Sequence, residues 1–208
     1  MSELDESDLS AAEDAAPVRK RPRPGERRQQ ILQTLASMLE QPGAERVTTA
    51  SLAARIGVSE AALYRHFASK AQMFEGLIDF VDQSVIGLIR QVTDREPAGP
   101  QQAARILALL MQFAEKNPGM CRVMTGDALV LENERLQERI NLLFDKIEAQ
   151  LRQSLREANA ASSTPTVDTQ VQASVLVAFM QGRLQRFVRS GFKRVPSEHL
   201  QAALGRMV

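Results

Sequence analysis

The stretch VTTASLAARIGVSEAALYRHFASK, from Val47 to Lys70, decides the fold of this chain. It contains two short amphipathic patterns separated by Gly57, and this spacing predicts two helices joined by a tight turn. Thr48 or Thr49 can cap the first helix, and Gly57 can adopt the left-handed conformation that such a turn requires. Ser59 can cap the second helix. The stretch therefore predicts a helix-turn-helix.

The second of these helices has an apolar side and a polar side. Leu63 and Phe67 are four residues apart and should both face inward. Small residues in the first turn would let the backbone approach base edges, while Tyr64, His66 and Lys70 can reach flanking phosphates. An ordinary helical hairpin is the alternative interpretation. The capped second helix, its alanine-rich first turn and its polar outer face favour DNA binding.

The segment before this motif is divided by charge. Residues 1–16 are acidic and poor in large apolar side chains, so we expect them to be disordered. Residues 18–28, VRKRPRPGERR, can form a basic arm that follows DNA phosphates or enters a minor groove. A solvated tail is the alternative, and it stays open for residues 19–23. The predicted DNA-binding residues are Arg27, Arg28, Thr48, Thr49, Ser59, Glu60, Ala61, Ala62, Tyr64, Arg65, His66 and Lys70.

Apolar residues elsewhere in the chain also recur at helical spacing. Residues 26–41 predict a first helix, and the periodicity after Lys70 predicts a long helix that links two domains. Pro97 and Gly99 interrupt the pattern. Further helices are expected at residues 101–116, just after Asn117, and at 129–158, 167–189 and 196–207, with a polar loop at 160–166.

Length and composition exclude several classes of protein. The 208 residues suffice for one DNA-binding domain and one larger domain. The composition, with 44% hydrophobic and 25% charged residues, is typical of soluble globular proteins. No apolar run is long enough to cross a bilayer, and no secretory signal opens the chain. Cys121 is the only cysteine, so an intrachain disulfide is impossible and a reducing cytoplasm is the expected compartment.

Residue types with catalytic chemistry are scattered rather than grouped. His66 and His199 are too far apart in sequence to have metal-ligand spacing, and no basic pair or histidine adjoins Cys121. Glycine-rich phosphate loops are absent from the sequence. We therefore expect neither an enzyme nor a cofactor or metal site.

The sequence motif YRHFASK, residues 64–70, resembles that of the TetR family of regulators. In that family the second helix ends in a Tyr and a His-Phe pair, and a Lys opens the next helix. The resemblance covers Ile31 to about Phe80. It implies an all-α homodimer with a TetR-like fold: a disordered tail (1–25), an N-terminal three-helix DNA-binding domain (26–70) and a larger C-terminal helical regulatory and dimerisation domain (71–208).

The resemblance also indicates how two copies associate. TetR-like proteins dimerise through their last two helices, where small residues such as Ala178 and Gly182 would permit close helix approach. Packing within one chain is the alternative, and we favour the dimer interface. A dimer would place two recognition helices in successive major-groove half-sites of a pseudo-palindromic DNA site.

Two functions are compatible with such a dimer. A ligand-responsive transcriptional repressor would bind a small molecule in its C-terminal domain and so change the spacing of its recognition helices. That domain has no tryptophan, its only aromatic residues are phenylalanines, and the expected central helix ILALLMQF has the composition of a packed core. An adaptor would bind a protein there instead.

The sequence outside the DNA-binding motif resembles that of the nucleoid occlusion factors, a branch of the TetR family. The segments that carry this resemblance are RRQQILQTLASMLE, AEKNPGM, ERLQERINLLFDKIEAQLRQSLRE and RFVRSGFK. The resemblance implies a cytoplasmic dimer bound to the nucleoid. It implies that this dimer binds the C-terminal tail of the division protein FtsZ and opposes ring assembly over unsegregated chromosome, rather than repressing transcription.

In that branch the partner surface is a groove beside the long fourth helix and the end of the fifth. Phe80, Leu109 and Asn117 match its pattern, and Lys116 stands where an arginine is expected, which keeps the cation but loses bidentate geometry. For Phe80 and Leu109, plain core packing is the alternative. Two positions depart from the pattern: Leu88 replaces an arginine and Gln112 a glycine, and Arg90 is a candidate to supply the missing charge.

Overall fold

A computed structural model describes residues 25–41, 46–130, 132–161 and 168–207 of the chain. Within these ranges the structure is helical and contains no strand, which confirms the all-α prediction. The acidic segment, the basic residues 19–23 and most of the expected loop at 160–166 lie outside the described residues. The helices are α1 Glu26–Leu39, α2 Thr49–Ile56, α3 Glu60–Tyr64, α4 Lys70–Thr93, α5 Pro100–Lys116, α6 Pro118–Met124, α7 Glu134–Ala161, α8 Thr169–Arg189 and α9 Leu200–Leu204.

The first three helices share one apolar centre. Ile31 and Leu35 of α1 are fully buried, as the helical spacing of its apolar stripe predicts. They share a core with Leu52 of α2, with Leu63 of α3 and with Phe67, which follows α3. This packing holds α2 and α3 against α1 and leaves their polar sides outward.

Helix α6 brings the second domain against the first. The backbone at Gly119 lies so close to α1 that an added Cβ would be 2.2 Å from the Ala36 carbonyl oxygen. Arg122 of α6 also donates a long hydrogen bond of 3.4 Å to the Leu39 carbonyl at the end of α1. The start of α6 therefore lies beside the first three helices.

Helices α7 and α8 are antiparallel and form much of the second domain. Gln170, at the start of α8, donates a 2.8 Å hydrogen bond to Glu148 in the second half of α7. Near the other end of the pair, a small cavity is lined by Gln137 and Asn141 of α7 together with Gln181 of α8. The Gln172 side chain of α8 donates a hydrogen bond to the Met207 carbonyl, which holds the C-terminal residues of the chain against α8. None of the helices in the described ranges is both long enough and apolar enough to cross a bilayer.

Several helix ends differ from the sequence-based expectation. Helix α1 ends at Leu39, and α7 begins at Glu134 because residues 127–129 form a separate 3-10 turn. The last helix is only five residues long, since turns occupy the residues before Leu200 and His199 has a positive φ of 52°. Local turns of this kind depend on contacts that periodicity does not report.

Candidate nucleic-acid interface

The turn between α2 and α3 has the conformation that the sequence predicts. Gly57 has φ 75° and ψ 42°, the left-handed region in which glycine has no steric penalty. Its N–H donates to the carbonyl oxygens of Ala53 and Ala54, so the last turn of α2 is closed by the same residue that redirects the chain. Val58 follows and packs partly against the core. The sharp turn places α3 across α2.

Each of the two helices starts at a capping side chain. The Thr48 hydroxyl accepts the Ser51 N–H at 3.1 Å, and the Ser51 hydroxyl accepts the Thr48 N–H at 3.1 Å, which completes a reciprocal capping box. Of the two threonines considered, Thr48 is therefore the cap. The Ser59 hydroxyl accepts the Ala62 N–H at 3.3 Å and caps α3.

The polar side of α3 is exposed. Tyr64 is 45% exposed, and Glu60 and Ala61 are also exposed, whereas Ala62 is half-buried and Leu63 is fully buried. Thr49 of α2 donates a 2.6 Å hydrogen bond to the Glu60 carboxylate and so ties the two helices together at their outer edge. A short helix with a small residue at its exposed start can approach a groove closely.

Arg65 and His66 are exposed, but they lie in the turn after α3 instead of on the helix as expected. The helix ends at Tyr64 because both His66 N–H and Phe67 N–H turn back to the Leu63 carbonyl, at 2.9 Å and 3.1 Å. This turn lets the Phe67 ring enter the core.

Of the two arginines at the start of α1, Arg28 reaches this turn. Arg28 donates a 2.9 Å hydrogen bond to the His66 carbonyl oxygen, and its guanidinium lies 4.0 Å from the centre of the Phe67 ring. Arg27 donates to the Gln30 side chain at 2.7 Å. The structure thus brings Arg28 to the end of the recognition helix, while Arg27 is bonded along its own helix.

Lys70 has a partner that the sequence did not indicate. Its ammonium donates a 2.6 Å hydrogen bond to Oε1 of Glu132, a residue of the segment that leads into α7. Arg46, just before α2, donates to the same oxygen at 2.9 Å. The expectation that Lys70 reaches a phosphate remains a prediction, and in this structure its charge is directed to the second domain. Neither Glu132 nor Arg46 has a sequence signal, because both lie outside the predicted motifs.

The predicted partner residues divide between α4, α5 and the start of α6. Phe80 of α4 is 49% exposed, so core packing does not account for it, whereas Leu109 of α5 is half-buried against the core. Lys116 is exposed at the end of α5. Asn117 follows it and donates a 2.7 Å hydrogen bond to the Phe113 carbonyl.

The two positions that depart from the expected pattern have different environments. Leu88 packs partly against the core, whereas Gln112 and Arg90 are exposed. Leu109, Gln112 and Lys116 share one face of α5, since they are spaced three and four residues apart. The exposed Gln112 side chain therefore lies between the apolar Leu109 and the cationic Lys116 on this face.

Cys121, the only thiol in the sequence, is buried. Burial raises the pKa of the Cys121 thiol to about 12, with a smaller contribution from the negative charge of Asp127, so the thiol stays protonated at neutral pH. In the part of the chain that the structure describes, no three His, Cys, Asp or Glu side chains are grouped as metal ligands.

Comparison with known proteins places the chain in a family. Residues 31–77 match the family described as bacterial regulatory proteins, tetR family, and residues 101–205 match a family described as tetracyclin repressor-like, C-terminal domain. Two solved structures, both of regulators named FadR, share the fold. The FadR of Bacillus halodurans has a TM-score of 0.72 at 14% identity, covering 89% of this chain and 96% of that chain. The stearoyl-CoA complex of the Bacillus subtilis FadR has a TM-score of 0.69 at 15% identity, covering 86% and 97%.

Closer relatives narrow the assignment. The nucleoid occlusion factor SlmA of Idiomarina loihiensis is 51% identical over 177 residues, which is 85% of this chain and 90% of that protein. That of Vibrio vulnificus is 51% identical over 178 residues, covering 84% and 90%. The chain therefore belongs to the TetR family of non-enzymatic DNA-binding regulators, and within it to the group of the nucleoid occlusion factors SlmA.

Proposed function

We propose that this protein is a nucleoid occlusion factor: a homodimer that binds pseudo-palindromic chromosomal DNA in the cytoplasm and, from there, prevents FtsZ from assembling a division ring over the nucleoid. The observation that carries this proposal is the exposed, capped recognition helix in a chain half identical to proteins of that name.

The DNA contact is assigned to the exposed side of the helix-turn-helix. The small side chain of Ala61 lies at the exposed start of α3, where a backbone can approach base edges, and Tyr64 lies one turn later. Arg65 and His66, in the turn that follows, are placed to meet the phosphate backbone beside the groove. The hydroxyl groups of Thr48, Thr49 and Ser59 lie at the starts of α2 and α3, where hydrogen bonds to phosphates position the protein.

The second copy is assigned to α8. Val171 and Val175 are exposed, and Ala178 and Gly182 continue the same face at intervals of three and four residues. A Cβ added at Gly182 would meet no atom within 4 Å, so a partner helix can approach the backbone there. Exposed valines beside small residues favour a helix–helix interface between subunits. In α9, Leu200 and Leu204 are buried within the chain, so these two side chains are not available to a second copy.

We assign the FtsZ contact to a surface of α4, α5 and the residue between α5 and α6, and we place in it Phe80, Leu109, Lys116 and Asn117. An exposed phenylalanine offers an apolar anchor, and the Lys116 ammonium offers a cation for an acidic tail. This surface lies on helices that also reach the DNA-binding domain, since α4 begins at Lys70 and α6 packs on α1. The residues assigned to FtsZ nevertheless lie outside α2 and α3, so DNA and FtsZ can bind the same dimer at different places.

Co-sedimentation with FtsZ polymers tests this function. The protein bound to its DNA site should reduce the polymer pelleted in the presence of GTP, and Phe80→Ala should weaken this effect while DNA binding is kept. Val195→Ala, which truncates an exposed valine near the C-terminus, is the matched control. A complex that leaves FtsZ polymer unchanged, together with release of DNA by a small metabolite, would support the ligand-responsive repressor instead.

A further inference from the structure

The two ends of the helix-turn-helix converge on one carboxylate of the second domain. Arg46 precedes the motif and Lys70 closes it, and the two are 24 positions apart in sequence. Both donate to Oε1 of Glu132, Arg46 Nε at 2.9 Å and Lys70 Nζ at 2.6 Å. One side chain from the segment before α7 therefore holds the DNA-binding motif at its beginning and at its end.

The environment of Glu132 favours a persistent contact. Its side chain is only 7% exposed and that of Lys70 only 20%, so the pair is shielded from water and from screening by salt. A carboxylate that is this shielded and accepts two charged hydrogen bonds is held more firmly than a surface ion pair. The Lys70 ammonium also lies 5.5 Å from the centre of the Phe74 ring, which limits the directions in which it can turn.

Side-chain packing beside Glu132 is incomplete, although Val47 and Phe74 nearby are buried in the core. A cavity of about 200 Å³ lies between the two domains, and its lining includes Arg46, Val47, Phe74 and Glu132. Side chains that line a cavity lose packing contacts on the side that faces it. The hydrogen bonds to Glu132 bridge the walls together with the longer bond from Arg122 to the Leu39 carbonyl, so they help to orient the motif relative to α7.

We propose that Glu132 is a positioning residue for DNA binding, which sets the orientation of the recognition helix relative to the second domain and thereby the spacing of the two DNA half-sites that the dimer accepts. The inference rests on the proposed dimeric DNA binding and adds to it the residue that determines its geometry. Because the second domain joins the two subunits, any rotation of the motif about α4 changes the separation of the two recognition helices.

Half-site spacing provides a readout that a purely structural residue would not change. Inserting one base pair between half-sites displaces them by about 3.4 Å and rotates one of them about the DNA axis. A dimer with firmly oriented recognition helices rejects such a site, whereas a dimer with looser ones tolerates it. The quantity to measure is the Kd for the site with the insertion divided by the Kd for the original site.

The experiment uses the full-length protein and a site that the wild type selects from random duplex DNA. Fluorescence anisotropy gives both Kd values for the wild type, for Glu132→Gln, which keeps the shape but removes the charge, and for Arg46→Gln, which removes one of the two donors. Asp82→Asn is the matched control, because Asp82 pairs with Lys146 between α4 and α7 at 2.8 Å and lies outside the DNA-binding motif.

In Glu132→Gln the ratio of the two Kd values should be roughly threefold or more lower than in the wild type. A change of this size is within the range for coupling through a contact network. Arg46→Gln should lower the ratio less, the double variant should match Glu132→Gln, and Asp82→Asn should leave it unchanged. A folded, dimeric Glu132→Gln with the wild-type ratio would overturn the inference, and so would an unchanged ratio in Arg46→Gln if Glu132→Gln fails to fold. Failure of the proposed function itself looks different: the wild type would select no two-half-site DNA.

Discussion

Lys70 Nζ lies 2.6 Å from Glu132 Oε1, so the residue that opens α4 is bound by a carboxylate of the second domain. Burial alone would raise the pKa of Glu132, but the hydrogen bonds and positive charges of Arg46 and Lys70 outweigh burial and lower it below its ordinary 4.5. The carboxylate is therefore charged at neutral pH, and this contact adds to the stability of the folded chain.

The stability that this contact provides should depend on pH. A carboxyl whose pKa is lowered by folding stabilises the protein above its unfolded pKa, and this contribution is lost as pH falls through the folded pKa. Glu132→Gln should reduce the free energy of unfolding at neutral pH by about 1–3 kcal/mol, the cost of removing a charged hydrogen-bond partner. Urea unfolding at fixed protein concentration measures the difference, which should shrink as the pH is lowered below 4.5.

The partly exposed pair between Asp82 and Lys146 provides the comparison. Asp82→Asn should change the free energy of unfolding by about 1 kcal/mol or less, as expected of an ion pair near the surface. An equal loss in the two variants, or a loss in Glu132→Gln that is the same at every pH, would contradict the role assigned to the Glu132 charge.

The capping box at the start of α2 should contribute measurably to stability and DNA binding. Thr48→Ala removes the hydroxyl that accepts the Ser51 N–H, at a cost of about 1 kcal/mol, and it also removes a hydroxyl placed to meet a phosphate. Thr48→Ser keeps the cap and should behave nearly as the wild type. Thermal unfolding and DNA titrations of both variants check this prediction, and it is wrong if a folded Thr48→Ala binds DNA as tightly as the wild type.

Close approach of α6 to α1 should make Gly119 intolerant of any side chain. An added Cβ would lie 2.2 Å from the Ala36 carbonyl oxygen, which is backbone and cannot move aside without shifting a helix. Gly119→Ala should therefore destabilise the protein by about 1–3 kcal/mol or more. Gly87→Ala, inside α4 with no atom within 4 Å of the new Cβ, should be neutral or stabilising by up to about 1 kcal/mol. Comparable unfolding midpoints for the two variants would contradict the packing described for α1 and α6.

The assignment of α8 to the dimer interface can be tested through its exposed valines. Val175 is 51% exposed, so Val175→Arg should leave the fold of one subunit intact while placing an uncompensated charge at the subunit boundary. Light scattering after size-exclusion chromatography should report a shift from dimer to monomer. Val195→Arg, at another exposed valine, should remain dimeric. If Val175→Arg is also dimeric, the assignment of the interface to this face of α8 is wrong.

Features determined by neighbouring residues could be predicted from the sequence, and features determined by distant ones could not. The caps at Thr48 and Ser59 and the left-handed Gly57 depend on residues within one turn, and the structure has all three. The contact of Lys70 with Glu132 joins residues 62 positions apart, and nothing in the sequence distinguishes Glu132 from other acidic residues.

The early end of the recognition helix has a similar explanation. Arg65 and His66 have the composition of a continuing helix, but the chain leaves the helix so that Phe67 can enter the core and Arg28 can bind the His66 carbonyl. Tertiary contacts therefore override the local preference. The exposure of Phe80 also depends on the surrounding helices, because periodicity alone allowed it to be either core or surface.

Binding of DNA by the exposed start of α3 is the central claim, and one titration tests it most directly. Fluorescence anisotropy should be recorded over a range of salt concentrations for the wild type, for Ala61→Glu and for Ala202→Glu, an equivalent change on the exposed side of α9. The wild type and Ala202→Glu should lose affinity steeply as salt rises, because phosphate contacts release counterions. Ala61→Glu should bind roughly tenfold more weakly or worse, since a carboxylate would face base edges and phosphates. A folded Ala61→Glu that binds the same DNA with wild-type affinity and salt dependence would contradict the account.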